Sequence, residues 1–180
     1  MALTATVYSF DIELSDVDRN VYQTLSLRVA RHPSETEDFL ITRVLAYCLE
    51  YGEGIGFSSG LSTPDEPALA VRDLTGTILV WIEIGAPDAA RLHKASKAAP
   101  RVVLYTHKDP VKVAAPWAGE RIHRAAELEL YAIDRELLAQ LVARLTRRMA
   151  FALSVTGRHL YVTLDGAVLE GEVRRIAIPD

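Results

Sequence analysis

Two apolar runs with a helix-length segment between them leave this chain few folds. Ile78 to Ile84 is almost continuously apolar, and so is Arg101 to Thr106 after its first residue. Strands of that kind sit inside a sheet with both faces covered. Between them, Gly85-Ala86-Pro87-Asp88 turns the chain and Ala89 to Ala99 reads as a helix. Strand, helix, strand in that order predicts a parallel βαβ unit.

The flanks read as antiparallel. Tyr8, Phe10, Ile12 and Leu14 alternate with polar residues, as do Leu25, Leu27 and Val29, and a turn-rich stretch from Ser15 to Asn20 joins the two runs. That pattern is a hairpin. Pro33 stops the second strand, and Ser34 with Glu37 predicts a capping box for a helix bearing Leu40, Val44, Tyr47 and Cys48, which ends at Gly52 and Gly54. Ala68 to Arg72 reads as a short strand that turns at Asp73 to Gly76 into Ile78 to Ile84. Asp109 and Pro110 open a short helix towards Trp117. Ala126 to Ile133 reads as a strand, and Asp134 caps a helix bearing Leu137, Leu138 and Leu141. Ala150 to Thr156, His159 to Leu164 and Val168 to Ile178 form an antiparallel end with turns at Gly157-Arg158 and Asp165-Gly166. The expected fold class is mixed α/β (α+β). A central sheet, parallel in its middle, carries helices on its faces and antiparallel hairpins at both ends, in one domain over residues 1–180.

Composition narrows the function classes. Hydrophobic residues at 49% and charged residues at 24% suit a globular chain with its own core. A net charge of −4 argues against a globally basic surface for wrapping duplex DNA, although local basic patches remain open. Cys48 is the only cysteine and lies in an apolar helical stretch, so it reads as a buried structural thiol, and no intramolecular disulfide can form. The five histidines are scattered, without a zinc-site spacing. Gly52-Glu53-Gly54-Ile55-Gly56 lacks the lysine of a phosphate loop and follows a helix, so it reads as a helix stop. No signal peptide is recognisable, and no apolar run reaches the roughly 20 residues of a membrane span. The cytoplasm is the expected location.

Glu83 is the residue that calls for a reason. It is a lone carboxylate in an apolar strand, and burying it unpaired costs several kcal/mol, roughly. One reason would be a salt bridge to Arg31, Arg43 or Lys94; another would be metal ligation. Asp65 and Glu66 precede a strand that turns back into the strand of Glu83, so the three carboxylates are expected to converge. A set of that kind with several waters is what Mg²⁺ favours, and such a metal can activate water at a phosphoryl group. Pro64 to Pro67 also reads as a plain solvent-facing turn. Glu35 is expected in the first turn of the long helix, where it would complement the helix dipole. Lys94 and Lys97 lie three residues apart on the helix after Glu83, roughly on one face.

Arg31-His32-Pro33-Ser34-Glu35-Thr36-Glu37, Gly60-Leu61, Asp65-Glu66-Pro67, Trp81 to Asp88 and Lys94 resemble the YaeQ family of small bacterial proteins, and the opening Met1-Ala2-Leu3 and the length agree. The order helix, hairpin, helix, strand is similar to the core of the PD-(D/E)XK nuclease-like fold. The resemblance implies a restriction-endonuclease-like core at about residues 34–106. It implies Glu35 as the helical acid, Asp65 or secondarily Glu66 as the motif aspartate, and Glu83 as the acid of Glu-x-Lys. Gly85 stands where that lysine belongs, a departure that puts catalysis in question; Lys94 would have to supply the ammonium from the next helix. The catalytic set so implied is Glu35, Asp65, Glu83 and Lys94. Asp65, Glu66 and Glu83 would hold Mg²⁺ or Mn²⁺, and Arg31, Arg43 and Lys97, with Arg91 nearby, would contact substrate phosphates. Two principal functions stay open: a divalent-metal-dependent nuclease acting on DNA or RNA, or a non-catalytic module that binds a nucleic acid or a protein. A structural subunit of a larger assembly is a third.

Overall fold

A computed structural model describes residues 4–58 and 65–179. The fold is mixed α+β and includes four α-helices among the described residues. The chain divides into two compact units. One comprises Met1–Ile41 and Ile133–Arg174, the other Thr42–Ala132 and Arg175–Asp180.

In the first unit, β1 (Thr6–Asp16) and β2 (Val21–Arg31) form the expected hairpin, in register from Thr6↔Arg31 to Asp16↔Val21. The alternation does what it predicts: Phe10, Ile12, Leu14, Leu27 and Val29 are buried while Asp11 and Glu13 are exposed. Strands β8 (Arg148–Thr156), β9 (His159–Leu164) and β10 (Ala167–Ile176) are antiparallel to one another, as expected. What local pattern does not give is that β8 lies parallel to β1, with Ile12 opposite Phe151. The loop after β1 fastens this pairing, because the Asp18 carboxylate accepts the backbone N–H groups of Gly157 (2.7 Å) and Arg158 (2.9 Å). Those two donors hold the Asp18 pKa below its ordinary value. Helix α4 (Arg135–Ala143) is capped by Asp134, as expected, and buries Leu137, Leu138 and Leu141. It passes close to β10 at Gly171, where a Cβ would lie 2.7 Å from Asp134 Cβ and 2.9 Å from Leu137 Cβ.

In the second unit the strand order is β7-β6-β5-β4-β3. Strands β5 (Ile78–Ile84), β6 (Arg101–Thr106) and β7 (Glu129–Ile133) run parallel, while β4 (Leu69–Arg72) and β3 (Ile55–Phe57) continue antiparallel. Helix α2 (Ala89–Ala98) is the expected crossover between β5 and β6. Leu92 and Ala95 of α2 share a buried cluster with Trp81, Val102, Leu104 and Trp117. Helix α3 (Pro110–Ala114) is capped by Asp109 and runs on into a 3-10 turn ending at Trp117. The expected strand from Ala126 begins later, because Ala125–Glu127 forms a 3-10 turn after Arg124 takes a left-handed conformation.

Helix α1 (Glu37–Leu49) starts later than the sequence suggests. Its capping oxygen is Thr36 Oγ1, which accepts from Phe39 N–H at 3.1 Å. Ser34 is turned to His32 instead: its Oγ lies 2.5 Å from His32 Nδ1, and its N–H donates to the same nitrogen. Glu35 therefore belongs to the turn before the helix, with its N–H on the His32 carbonyl. Cys48 is fully buried, and burial pushes its thiol up to about 12, which makes it inert.

Candidate functional site

The alternation of β5 places Trp81 and Glu83 on one face of the strand, the face that α2 covers. Gly85, with φ 93°, turns the chain out of the strand, and Asp88 caps α2 by accepting from Arg91 N–H at 2.8 Å. A turn that short sets the first turn of α2 over the end of β5, so Arg91 reaches back to Glu83. Arg91 Nε donates to Glu83 Oε2 at 2.8 Å, and Trp81 Nε1 donates to Oε1 at 2.7 Å. Both carboxylate oxygens thus have a donor in a residue only 4% exposed. Arg91 Nη2 continues to the backbone carbonyl of Glu66 at 2.7 Å, and the guanidinium carbon lies 6.0 Å from the centre of the Trp81 ring. Strand, helix and the loop before β4 are joined through one arginine. The cation that bridges Glu83 is Arg91, in place of the expected Arg31, Arg43 or Lys94.

Lys94, one turn further along α2, pairs with the Asp65 carboxylate. This pair is open to water, with the Asp65 side chain 77% exposed, so it is worth little energetically. Arg91 and Lys94 of α2 thus hold the carboxylates of Glu83 and Asp65, while Glu66 joins through its backbone carbonyl. Glu35 lies in the other unit. Arg31 closes β2, and Arg43 is buried in α1 with its guanidinium over the Phe57 ring at 5.9 Å. Lys97 is exposed on α2.

As they stand, these residues do not fit a Mg²⁺ or Mn²⁺ pair. Among the described residues no three His, Cys, Asp or Glu side chains are grouped to hold a metal ion. A cation at Glu83 would have to displace Arg91. A lysine at position 85 would be forced to φ 93°, a conformation that side chains with a Cβ rarely adopt.

A second charged network escaped sequence reasoning. Arg101 lies between Glu50 and Glu129, donating to Glu50 Oε2 at 2.7 Å and to Glu129 Oε2 at 2.7 Å. Tyr105 donates to Glu50 Oε1 at 2.6 Å, Tyr131 donates to Glu129 Oε1 at 3.0 Å, and the two rings stack at 5.2 Å. Burial alone would raise the Glu129 pKa, but Arg101 and Tyr131 outweigh it and hold it below the ordinary value. Burial, and then the Glu50 charge, push the Tyr105 phenol up. These residues come from the turn that follows α1 and from β6 and β7, so no local spacing announces them.

A family model described as YaeQ protein matches residues 1–173. The chain belongs to the YaeQ family. It is 34% identical over 173 residues to the Escherichia coli (strain K12) protein named Uncharacterized protein YaeQ, covering 94% of each chain. The protein of the same name from Salmonella typhi is 33% identical over 177 residues, covering 97% of this chain and 92% of that one. Among solved structures, the YaeQ protein from Pseudomonas syringae superposes with a TM-score of 0.86 at 31% identity, covering 96% of each chain. That of Xanthomonas axonopodis pv. citri gives 0.84 at 30% identity, covering 98% of this chain and all of the other. The names of those relatives state no reaction. No helix among the described residues of this chain is long and apolar enough to cross a membrane.

Proposed function

We propose that this YaeQ-family chain is a non-catalytic module that binds nucleic acid on a degenerate PD-(D/E)XK-like fold, with Glu83 serving as a structural lock. The observation that carries the reading is the double engagement of Glu83 by Trp81 Nε1 and Arg91 Nε. A carboxylate so held is a poor metal ligand, since ligation would leave a guanidinium without its anion. The order α1, β3, β4, β5, α2, β6, which contains a helix, a hairpin, a helix and a strand in sequence, supports the fold likeness. Gly85 and the Asp65–Lys94 pair support the loss of catalysis, because the Glu-x-Lys lysine is absent and Lys94 is turned to a carboxylate. Lys97, exposed on α2 and without an ion-pair partner among the described residues, supports a polyanionic partner despite the net charge of −4.

The test uses a labelled single-stranded oligonucleotide and its duplex at low salt, with Mg²⁺ or Mn²⁺ present. Binding without strand cleavage, weakening steeply as salt rises, is the expected result. Metal-dependent cleavage abolished by Glu83→Gln would overturn the reading in favour of a nuclease, and absence of binding to either oligonucleotide would remove nucleic acid as the partner.

A further inference from the structure

Away from Glu83, a basic cluster forms where α2 meets the segment after Trp117. His93 and Lys97 stand one helical turn apart on α2, and Arg121 and His123 come from the facing segment. The segment is fixed in place by two contacts. His123 donates its backbone N–H to His93 Nδ1 at 2.9 Å, and the rings meet edge-on at 6.4 Å. Arg124 caps the end of α2, donating to the carbonyls of Ser96 at 2.6 Å and Ala99 at 2.8 Å. Arg124 itself adopts φ 48°, ψ 43°, a left-handed conformation that residues with a Cβ rarely take.

We infer that His93, Lys97, Arg121 and His123 form a binding site for a phosphate group. The acids of the same segment are directed elsewhere: Glu127 pairs with Arg124, and Glu120 lines a cavity of about 260 Å³ beside Trp117. Among the described residues, neither Lys97 nor Arg121 has a carboxylate within ion-pair distance. The acceptor role of His93 Nδ1 leaves the proton of the neutral ring on Nε2, which is then a donor. Partial burial, followed by the charges of Lys97, Arg121 and His123, holds the His93 pKa below its ordinary value, in keeping with the contact that joins the two segments at His93 and His123. An ammonium, a guanidinium and imidazole donors around one space suit a phosphate oxyanion. The phosphate could belong to a polynucleotide backbone or to a small phosphorylated molecule. The first source rests on the binding-module reading; the site itself does not.

The experiment titrates the full chain with inorganic phosphate, then pyrophosphate, at constant ionic strength, following the histidine ring resonances by NMR. A saturable shift of the His93 and His123 rings is expected, weakened at least tenfold in Lys97→Gln/Arg121→Gln, a pair of exposed positions whose change leaves the fold intact. Equal shifts with chloride, or identical titrations of wild type and variant, would overturn the site. In parallel, a single-stranded oligonucleotide is bound at several salt concentrations. A polynucleotide source predicts at least tenfold weaker binding by the variant and a salt slope smaller by about one per lost contact. If phosphate binds and the oligonucleotide does not, the site stands with a small phosphorylated ligand and the nucleic-acid reading falls. If the oligonucleotide binds wild type and variant alike and phosphate shifts nothing, the site falls while that reading survives.

Discussion

Replacing Arg91 by methionine tests the lock at Glu83 most sharply. The change keeps most of the aliphatic stem and removes the guanidinium, whose carbon lies 6.0 Å from the centre of the Trp81 ring. Glu83, 4% exposed, is left with the indole N–H as its one remaining donor among the contacts described above. Breaking a buried pair by removing one partner costs about 3–5 kcal/mol. Arg91 is 26% exposed, so water can reach part of the vacated space, and the charge-assisted bond from Trp81 survives. Both considerations place the loss near the low end, about 3 kcal/mol. For a chain of this length that lowers the thermal midpoint by about 6–12 °C. Urea unfolding of wild type and variant at pH 7 reads the loss directly, provided the slope is unchanged. Adding Glu83→Gln to Arg91→Met removes the stranded charge, and the double variant should regain about 1–2 kcal/mol. A loss under about 1 kcal/mol in Arg91→Met, or a double variant no more stable than the single, would refute the argument that the pair is a buried structural lock.

Arg101→Leu should cost about 2 kcal/mol, discounted because the Arg101 side chain is 37% exposed. Because Glu129 is held below its ordinary value, its contribution is present above the unfolded carboxylate pKa and is lost as pH falls through the lowered folded value. The stability gap between wild type and Arg101→Leu should therefore be larger at pH 7 than at pH 3.5–4, roughly, by urea titration; a gap independent of pH would contradict the role given to Arg101. Gly171→Ala should destabilise by about 1–3 kcal/mol, because the new methyl meets Asp134 and Leu137 and α4 must move off β10. A neutral Gly171→Ala in the same assay would mean that this contact yields freely.

The elements that position Glu83 were legible because each rests on local chemistry. The apolar run of β5 and the spacing of α2 and β6 specify strand, crossover and parallel strand without help from the rest of the chain. Alternation likewise sufficed for β1 and β2. The start of α1 was misread because Ser34 fits a capping pattern but is diverted to His32, leaving the cap to Thr36. The pairing of β1 with β8 joins residues far apart in sequence, and no local signal carries it. At the site, the sequence exposed Glu83 as a carboxylate needing a partner but not which cation would serve. The short Gly85–Asp88 turn, which returns the first turn of α2 to the strand end, is the signal that could have singled out Arg91. The Glu50–Arg101–Glu129 set offered no such signal, since three separate elements must first be assembled.

The carboxylates held by α2 are either a structural set or a metal centre. Titrating Mn²⁺ and Mg²⁺ into wild type and Glu83→Gln while following thermal unfolding decides it, because an ion bound only by the folded state raises the midpoint. The structural account predicts no metal-dependent shift in either protein, with Glu83→Gln lower by the same margin at every metal concentration. A midpoint that climbs with Mn²⁺ in the wild type and stays flat in Glu83→Gln would contradict it and establish Glu83 as a metal ligand.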